Sequence, residues 1–205
     1  MQKIMFNNRY GLTQAVIEGR KTMTRRIELI GSEQNIIAPG IFEVTSRCIK
    51  VRQNGQLIMS VPLRYKVGEV VAVAQRYADI PDLAEQARDP FSETYFEEED
   101  IGAEPGWHNK IFVKAELMPH RIRITGVRCE RLQDISDEDC LKEGINASNS
   151  HEIGYGIPWV YEFAGSKMVY YTPREAFAAL IDKVSDRGTW GLNPWVVVYE
   201  FELVK

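Results

Sequence analysis

The dipeptide Asn54-Gly55 is the tightest constraint on how this chain folds. It separates RCIKVRQ from QLIMSV. Asn-Gly is the pair best suited to a type I′ turn, whose twist matches that of two antiparallel strands. Residues 47–62 are therefore expected as a β-hairpin. Further strand character lies in residues 1–6, in GEVVAVAQ (68–75), in KIFVKAEL (110–117) and in RIRITGVRCERL (121–132). GEVVAVAQ is β-branched and strongly apolar and reads as a buried strand. In RIRITGVRCERL, Ile122 and Ile124 alternate with arginines until Gly126 shifts the phase, as a bulge would. The segment NPWVVVYEFELV supplies a last strand after Pro194.

Three helices are expected between the strands. Asn7 or Asn8 can cap the first, which runs to about Glu18 with Gly19 as a left-handed stop; Leu12, Ala15 and Val16 share its apolar face. Ser136 caps a short second helix, with Asp139 placed to bond back and Gly144 ending it. Thr172-Pro173-Arg174-Glu175 is a capping box with proline in the first turn, and Phe177, Leu180, Ile181 and Val184 give the third helix its stripe. Residues 79–107, interrupted by prolines and rich in acids, read as a surface insertion, and residues 145–171 as a second one with a hairpin through Ala164-Gly165-Ser166. The order α, several β, α, α, β is not the alternation of a doubly wound sheet. It points to one α+β domain over residues 1–205: a mostly antiparallel β-barrel flanked by about three helices, with two insertions.

Of 205 residues, 44% are hydrophobic and 26% charged, a globular balance. A formal charge of -4 excludes a protein that coats nucleic acid through overall charge, so any polyanion contact needs a local patch. Cys48, Cys129 and Cys140 are far apart and lack metal-ligand spacing, which fits buried thiols in a reducing compartment. No apolar run suits a signal peptide or a membrane span, so a cytoplasmic protein without membrane contact is expected. His108, His120 and His151 are not spaced as a metal set. No dinucleotide fingerprint, Walker loop or GxSxG is present, and no cofactor or metal is called for.

The sharpest local feature is GRKTMTRR (19–26), where Arg20, Lys21, Arg25 and Arg26 are interleaved with Thr22 and Thr24. Cations beyond a helix C-terminus suit its dipole and often form only a solvated turn. If they line a cleft, guanidinium forks and hydroxyls can hold phosphate, with Arg20, Thr22, Arg25 and Arg26 as the binding set. Among the tryptophans, Trp190 and Trp195 read as packing residues beside a core strand. Trp159, Tyr161 and Phe163 read as an aromatic lid suited to stacking on bases.

Four blocks carry a family resemblance. AVIEGRKTMTRRI looks like the N-terminal signature of ASCH proteins, and PLRYKVGEVVAVAQRY resembles their following strand. RITGVRCERLQDISDEDCLKEGI resembles their central strand and helix, and GTWGLNPWVVVYEFE their closing strand. The resemblance implies a PUA-like barrel with a cleft beside GRKT, binding RNA or a nucleotide-like ligand. It implies a second possibility, since one small bacterial branch hydrolyses the amide of acetylated cytidine with a Lys, a Thr and a Glu. Those roles fall here on Lys21, Thr24 and Glu143; a slip of one turn would choose Glu138 or Asp139 instead. Such chemistry suits the residue types: threonine needs a base, lysine serves once burial and nearby cations lower its pKa, and a carboxylate can shuttle a proton to the leaving amine. The chain departs from the family in Gln75, where an acid is common, in Arg76-Tyr77, where a Trp is common in the larger, phage-associated branch, and in its two insertions, which the small amidohydrolases lack. A non-catalytic accessory protein of phage or mobile elements is a third reading.

Overall fold

The computed structural model describes residues 1–27, 41–45, 47–86, 105–149 and 159–204. The chain divides into two compact units, one of residues 1–6, 70–122 and 204–205, the other of residues 7–69 and 123–203.

In the first unit, β1 (Lys3–Ile4) pairs in parallel with β6 (Val70–Val73), Ile4 lying opposite Val73. The continuous apolar run explains β6: Val71, Ala72, Val73 and Ala74 are all buried. Ala72 packs with Ile80, Val113, Ala115 and Met118, and Tyr77 covers the cluster. The segment 110–117 is not the strand its composition predicts. Its backbone turns where Phe112 N–H donates to the Asn109 carbonyl, and Ala115–Leu117 is a 3-10 turn. Its carbonyls go to a side chain instead of a ladder: the Lys3 ammonium donates to the carbonyls of Lys110, Ile111 and Val113 at 3.1, 2.5 and 2.7 Å. Ile111 and Phe112 are left exposed. Within the first expected insertion, α2 (Pro81–Gln86) and α3 (Pro105–His108) are short helices opened by proline; residues 87–104 lie outside the described residues.

The second unit begins with α1 (Leu12–Ile17), which starts later than the asparagines would place it. Gly11, at φ 65°, is its N-cap. Asn7 and Asn8 shape the preceding turn instead, their side-chain oxygens accepting from Tyr10 N–H at 3.3 Å and from the Thr13 hydroxyl at 2.5 Å. Leu12, Ala15 and Val16 are buried as their spacing requires. Gly19, at φ 74°, ends the helix. Its N–H donates to the Val16 carbonyl at 3.0 Å and Lys21 N–H to Ala15 at 2.9 Å, and the chain turns from there into β2 (Met23–Arg26).

β2 is antiparallel to β10 (Trp195–Val204), with Thr24 opposite Tyr199 and Arg25 opposite Val198. Val196 to Tyr199 are all buried, matching the apolar run that opens β10. β7 (Arg121–Arg131) lies on the other side of β10. It runs through Gly126 without a break, and the glycine serves close approach: a Cβ there would stand 2.9 Å from Glu200 Oε2. The Asn54-Gly55 turn joins β4 (Cys48–Gln53) to β5 (Gln56–Pro62), at φ 51° and 78°, both positive as the I′ turn requires. With β3 (Ile41–Val44) they form a separate three-stranded sheet.

Two further helices and a strand pair also belong to this unit. α4 (Asp137–Lys142) is capped by Ser136, whose hydroxyl accepts from Asp139 N–H. β8 (Asn146–Asn149) pairs with β9 (Trp159–Glu162). A further bridge from Tyr161 to Tyr170 makes the expected hairpin through residues 164–166. α5 (Pro173–Val184) carries the full capping box of Thr172 and Glu175, and buries Phe177, Leu180 and Ile181.

The predicted barrel is not there. A barrel requires one sheet whose terminal strands pair with each other at a fixed stagger. Among the described residues none of the sheets closes in this way; β3-β4-β5 and β8-β9 are separate open sheets. The pairs β2–β10, β3–β4, β4–β5 and β8–β9 are antiparallel, as expected of a mostly antiparallel fold, while β1–β6 is parallel. The α+β class holds, but the closed, PUA-like architecture does not.

Candidate functional site

β2 and the end of α4 build the site, both in the second unit. Along β2 alternate side chains take opposite faces. Met23 and Arg25 share one face, with Arg25 Nη1 3.3 Å from Met23 Sδ. Lys21, just before the strand, reaches the same neighbourhood. Its Nζ donates to Glu143 Oε2 at 2.5 Å and to the Glu143 carbonyl at 2.7 Å. Glu143 is the C-cap of α4, and Gly144 follows at φ 102°, a conformation that side chains rarely adopt. A Cβ at Gly144 would press on Leu12 Cδ2 at 3.2 Å and stand 3.6 Å from Lys21 Cδ. The glycine thus both turns the chain and leaves room for the lysine stem.

Glu143 is shared. Its second oxygen, Oε1, accepts from Arg25 Nη1 at 3.1 Å. Arg25 is in turn held by Glu130 Oε1, at 2.9 Å from Nε and 2.6 Å from Nη2, and by Asp139 Oδ2 at 2.9 Å. Arg128 closes the network, donating to Glu130 Oε2 at 2.9 Å, to Asp139 Oδ2 at 2.6 Å and to Glu200. The side chains of Lys21 and Arg25 are only 2% and 1% exposed. Burial pushes the Lys21 pKa down, against the opposing pull of Glu143, and the charges of Arg26 and Arg25 add to the depression. For Arg25, burial alone would act downward, but Glu143 and Glu130 outweigh it and hold the guanidinium charged.

The structure sorts the expected site residues. It brings Lys21 and Glu143 into direct contact; of the alternatives on the second helix, Glu138, 76% exposed, pairs with Lys142 at 2.6 Å, and Asp139 binds Arg25 and Arg128. Thr24 is buried on β2 between Met23 and Arg25, so alternation gives it the opposite face. Thr22 is half-buried and works through its backbone, its N–H donating to the Lys142 carbonyl and its carbonyl accepting from Phe201 N–H. Arg20 lies at the surface, paired with Glu18 at 2.6 Å and donating to Asn146 Oδ1 at 2.8 Å. Arg26 is half-buried opposite Val197.

Arg20 also borders an open depression of about 500 Å³ with Leu141, Ile145, Asn146, Ser148 and Glu162. Arg20 is one residue from Lys21 along the chain, and Ile145 and Asn146 are two and three residues from Glu143. The aromatic lid is only partly met: Trp159 is exposed, but Phe163 is buried, edge-on to Tyr10 at 5.9 Å and stacked on Tyr170 at 6.2 Å. Trp190 and Trp195 are packing residues, against Phe177 at 6.1 Å and Phe42 at 4.0 Å.

Sequence reasoning missed Arg128, Glu130 and Glu200, and gave Asp139 a capping part and a place as alternative to Glu143, but not its bonds to Arg25 and Arg128. One signal was present. Arg128 and Glu130 stand two apart on a strand, so they share a face and can pair, as they do at 2.9 Å.

Among the described residues no group of His, Cys, Asp and Glu is arranged to hold a metal ion, and no helix is long and apolar enough to cross a membrane. A scan against protein-family models, a search of curated proteins and a search of solved structures each find no match.

Proposed function

We propose that this chain is an amide hydrolase for an acylated nucleoside of the cytidine type, with Lys21 and Glu143 as its proton-transfer pair. The observation that carries the reading is the 2.5 Å contact between Lys21 Nζ and Glu143 Oε2, made with both side chains buried. The likeness of GRKTMTRR and the central helix to ASCH proteins supplies the substrate class.

The chemistry follows from the pair. A lysine whose pKa is lowered by burial has a larger neutral fraction at neutral pH, and the neutral amine can act as a base. Water attacks the amide carbonyl and gives its proton to Lys21 Nζ. The carbon–nitrogen bond then breaks, and the proton, relayed through the Lys21–Glu143 pair, goes to the departing amine. Products are a carboxylate and the free nucleoside. Thr24, on the other face of β2, is given no nucleophilic part. The depression bordered by Arg20, Asn146, Ser148 and Glu162 offers donors and acceptors to a neutral polar base.

A phosphate-binding surface is the weaker reading. Lys21, Arg25 and Arg128 face Glu130, Asp139, Glu143 and Glu200, three cations against four carboxylates, and Arg20 is taken by Glu18. That balance leaves little positive surplus for a polyanion. The test is incubation of the protein with acetylated cytidine and chromatographic detection of cytidine and acetate. Product above the uncatalysed rate is expected; its complete absence across pH 6 to 9 refutes the reading.

A further inference from the structure

Glu143 accepts a cation on each oxygen, Lys21 on Oε2 and Arg25 on Oε1. The two cations are not equivalent. Lys21 donates to Glu143, whereas Arg25 is also gripped by Glu130 of β7 and Asp139 of α4. A guanidinium has donors in a rigid planar fork, so contacts on three carboxylates fix it in place and orientation. The carboxylate is thereby held from its far side, leaving Oε2 turned to the lysine.

We propose that Arg25 is a positioning residue: anchored by Glu130 and Asp139, it sets the orientation of Glu143 and so the distance and charge balance of the Lys21–Glu143 pair. The inference deepens the hydrolase reading and rests on it for its catalytic consequence. The structural part stands without it.

The charged groups around the pair are few and all act in one direction on removal of Arg25. Lys21 faces Glu143 from the end of α4 and Arg25 and Arg26 from its own segment. Arg25 faces Glu143, Glu130 and Asp139, with the Cys140 thiol of α4 near enough to feel its charge. Arg128 lies beyond, on Glu130, Asp139 and Glu200. Removing the guanidinium deletes a positive charge near Lys21 and leaves Glu143 to a single cation. Both changes favour the ammonium form.

The experiment follows the Lys21 side-chain nitrogen by ¹⁵N NMR through a pH titration in wild type, Arg25→Gln and Arg25→Lys, without substrate. Arg25→Gln should raise the Lys21 midpoint by about one pKa unit or more. Arg25→Lys retains charge but not the fork, and should give a midpoint and resonance between the other two. In the hydrolysis assay, Arg25→Gln should lower kcat roughly tenfold or more with KM within about threefold, because the pair and not substrate binding is disturbed. A Lys21 midpoint and resonance unchanged in Arg25→Gln overturn the proposal. Should that variant fail to fold, a wild-type Lys21 resonance in Arg25→Lys overturns it equally. A shifted Lys21 midpoint in a protein that hydrolyses nothing would sink the hydrolase reading and leave the positioning role standing.

Discussion

Replacing Glu143 by glutamine tests the site's electrostatics through stability. The carboxylate accepts from Lys21 on one oxygen and from Arg25 on the other. A glutamine amide has one accepting oxygen and one NH2, so one of the two buried cations must face a donor. Breaking a buried pair by removing one partner typically costs about 3–5 kcal/mol, since it leaves an uncompensated charge out of water. Net stabilities are only about 5–15 kcal/mol, so the loss is a large share of the whole. For a chain of this size it corresponds to a Tm lower by roughly 6–20 °C. Removing the second charge as well should recover part of it. In Lys21→Met/Glu143→Gln the amide oxygen can turn to Arg25, and we expect the double variant to be about 1–3 kcal/mol more stable than the sum of the single losses. Urea unfolding at pH 7, followed by tryptophan fluorescence and extrapolated to water, measures all four corners of the cycle. A Glu143→Gln loss under about 0.5 kcal/mol, or losses that simply add, would refute the coupling.

The same lysine should leave a mark on the pH dependence of stability. Its folded pKa lies below the ordinary 10.5, so between the two values the unfolded chain binds more protons, and stability rises with pH across that window. Lys21→Met should abolish this component, and identical pH slopes in the two proteins would exclude a depressed Lys21. Gly144→Ala introduces a Cβ at a positive φ and 3.2 Å from Leu12 Cδ2, for an expected loss of about 1–3 kcal/mol in the same urea assay. A variant as stable as wild type would show that the turn after α4 is not the rigid element described.

Much of the fold was legible because short-range chemistry decided it. Asn54-Gly55 demands positive φ at two successive residues, and the hairpin follows. Thr172 and Glu175 cap α5 through contacts three residues apart. Failures came where long-range partners decided. Segment 110–117 has strand composition, yet Lys3, more than a hundred residues away in sequence, takes its carbonyls and holds it as a turn. Closure of a sheet depends on which strands meet, which alternation and propensity do not encode, so the barrel was a plausible and wrong extrapolation. Within the site, Lys21 and Glu143 were both named from the sequence. Counted along the chain, the cationic run stands without the acids that pair with it in the fold: Glu130, Asp139 and Glu143 lie about a hundred residues or more downstream. Charge counted along the chain overstates charge presented to a ligand.

Whether the buried Lys21–Glu143 pair does chemistry decides between a hydrolase and a structural ion pair. The most direct measurement is the rate of acetylated cytidine hydrolysis by wild type, Lys21→Met and Glu143→Gln at one pH, each confirmed folded beforehand. Turnover by wild type with both variants lowered at least about a hundredfold is the expected result. Wild-type rates in either folded variant would contradict it.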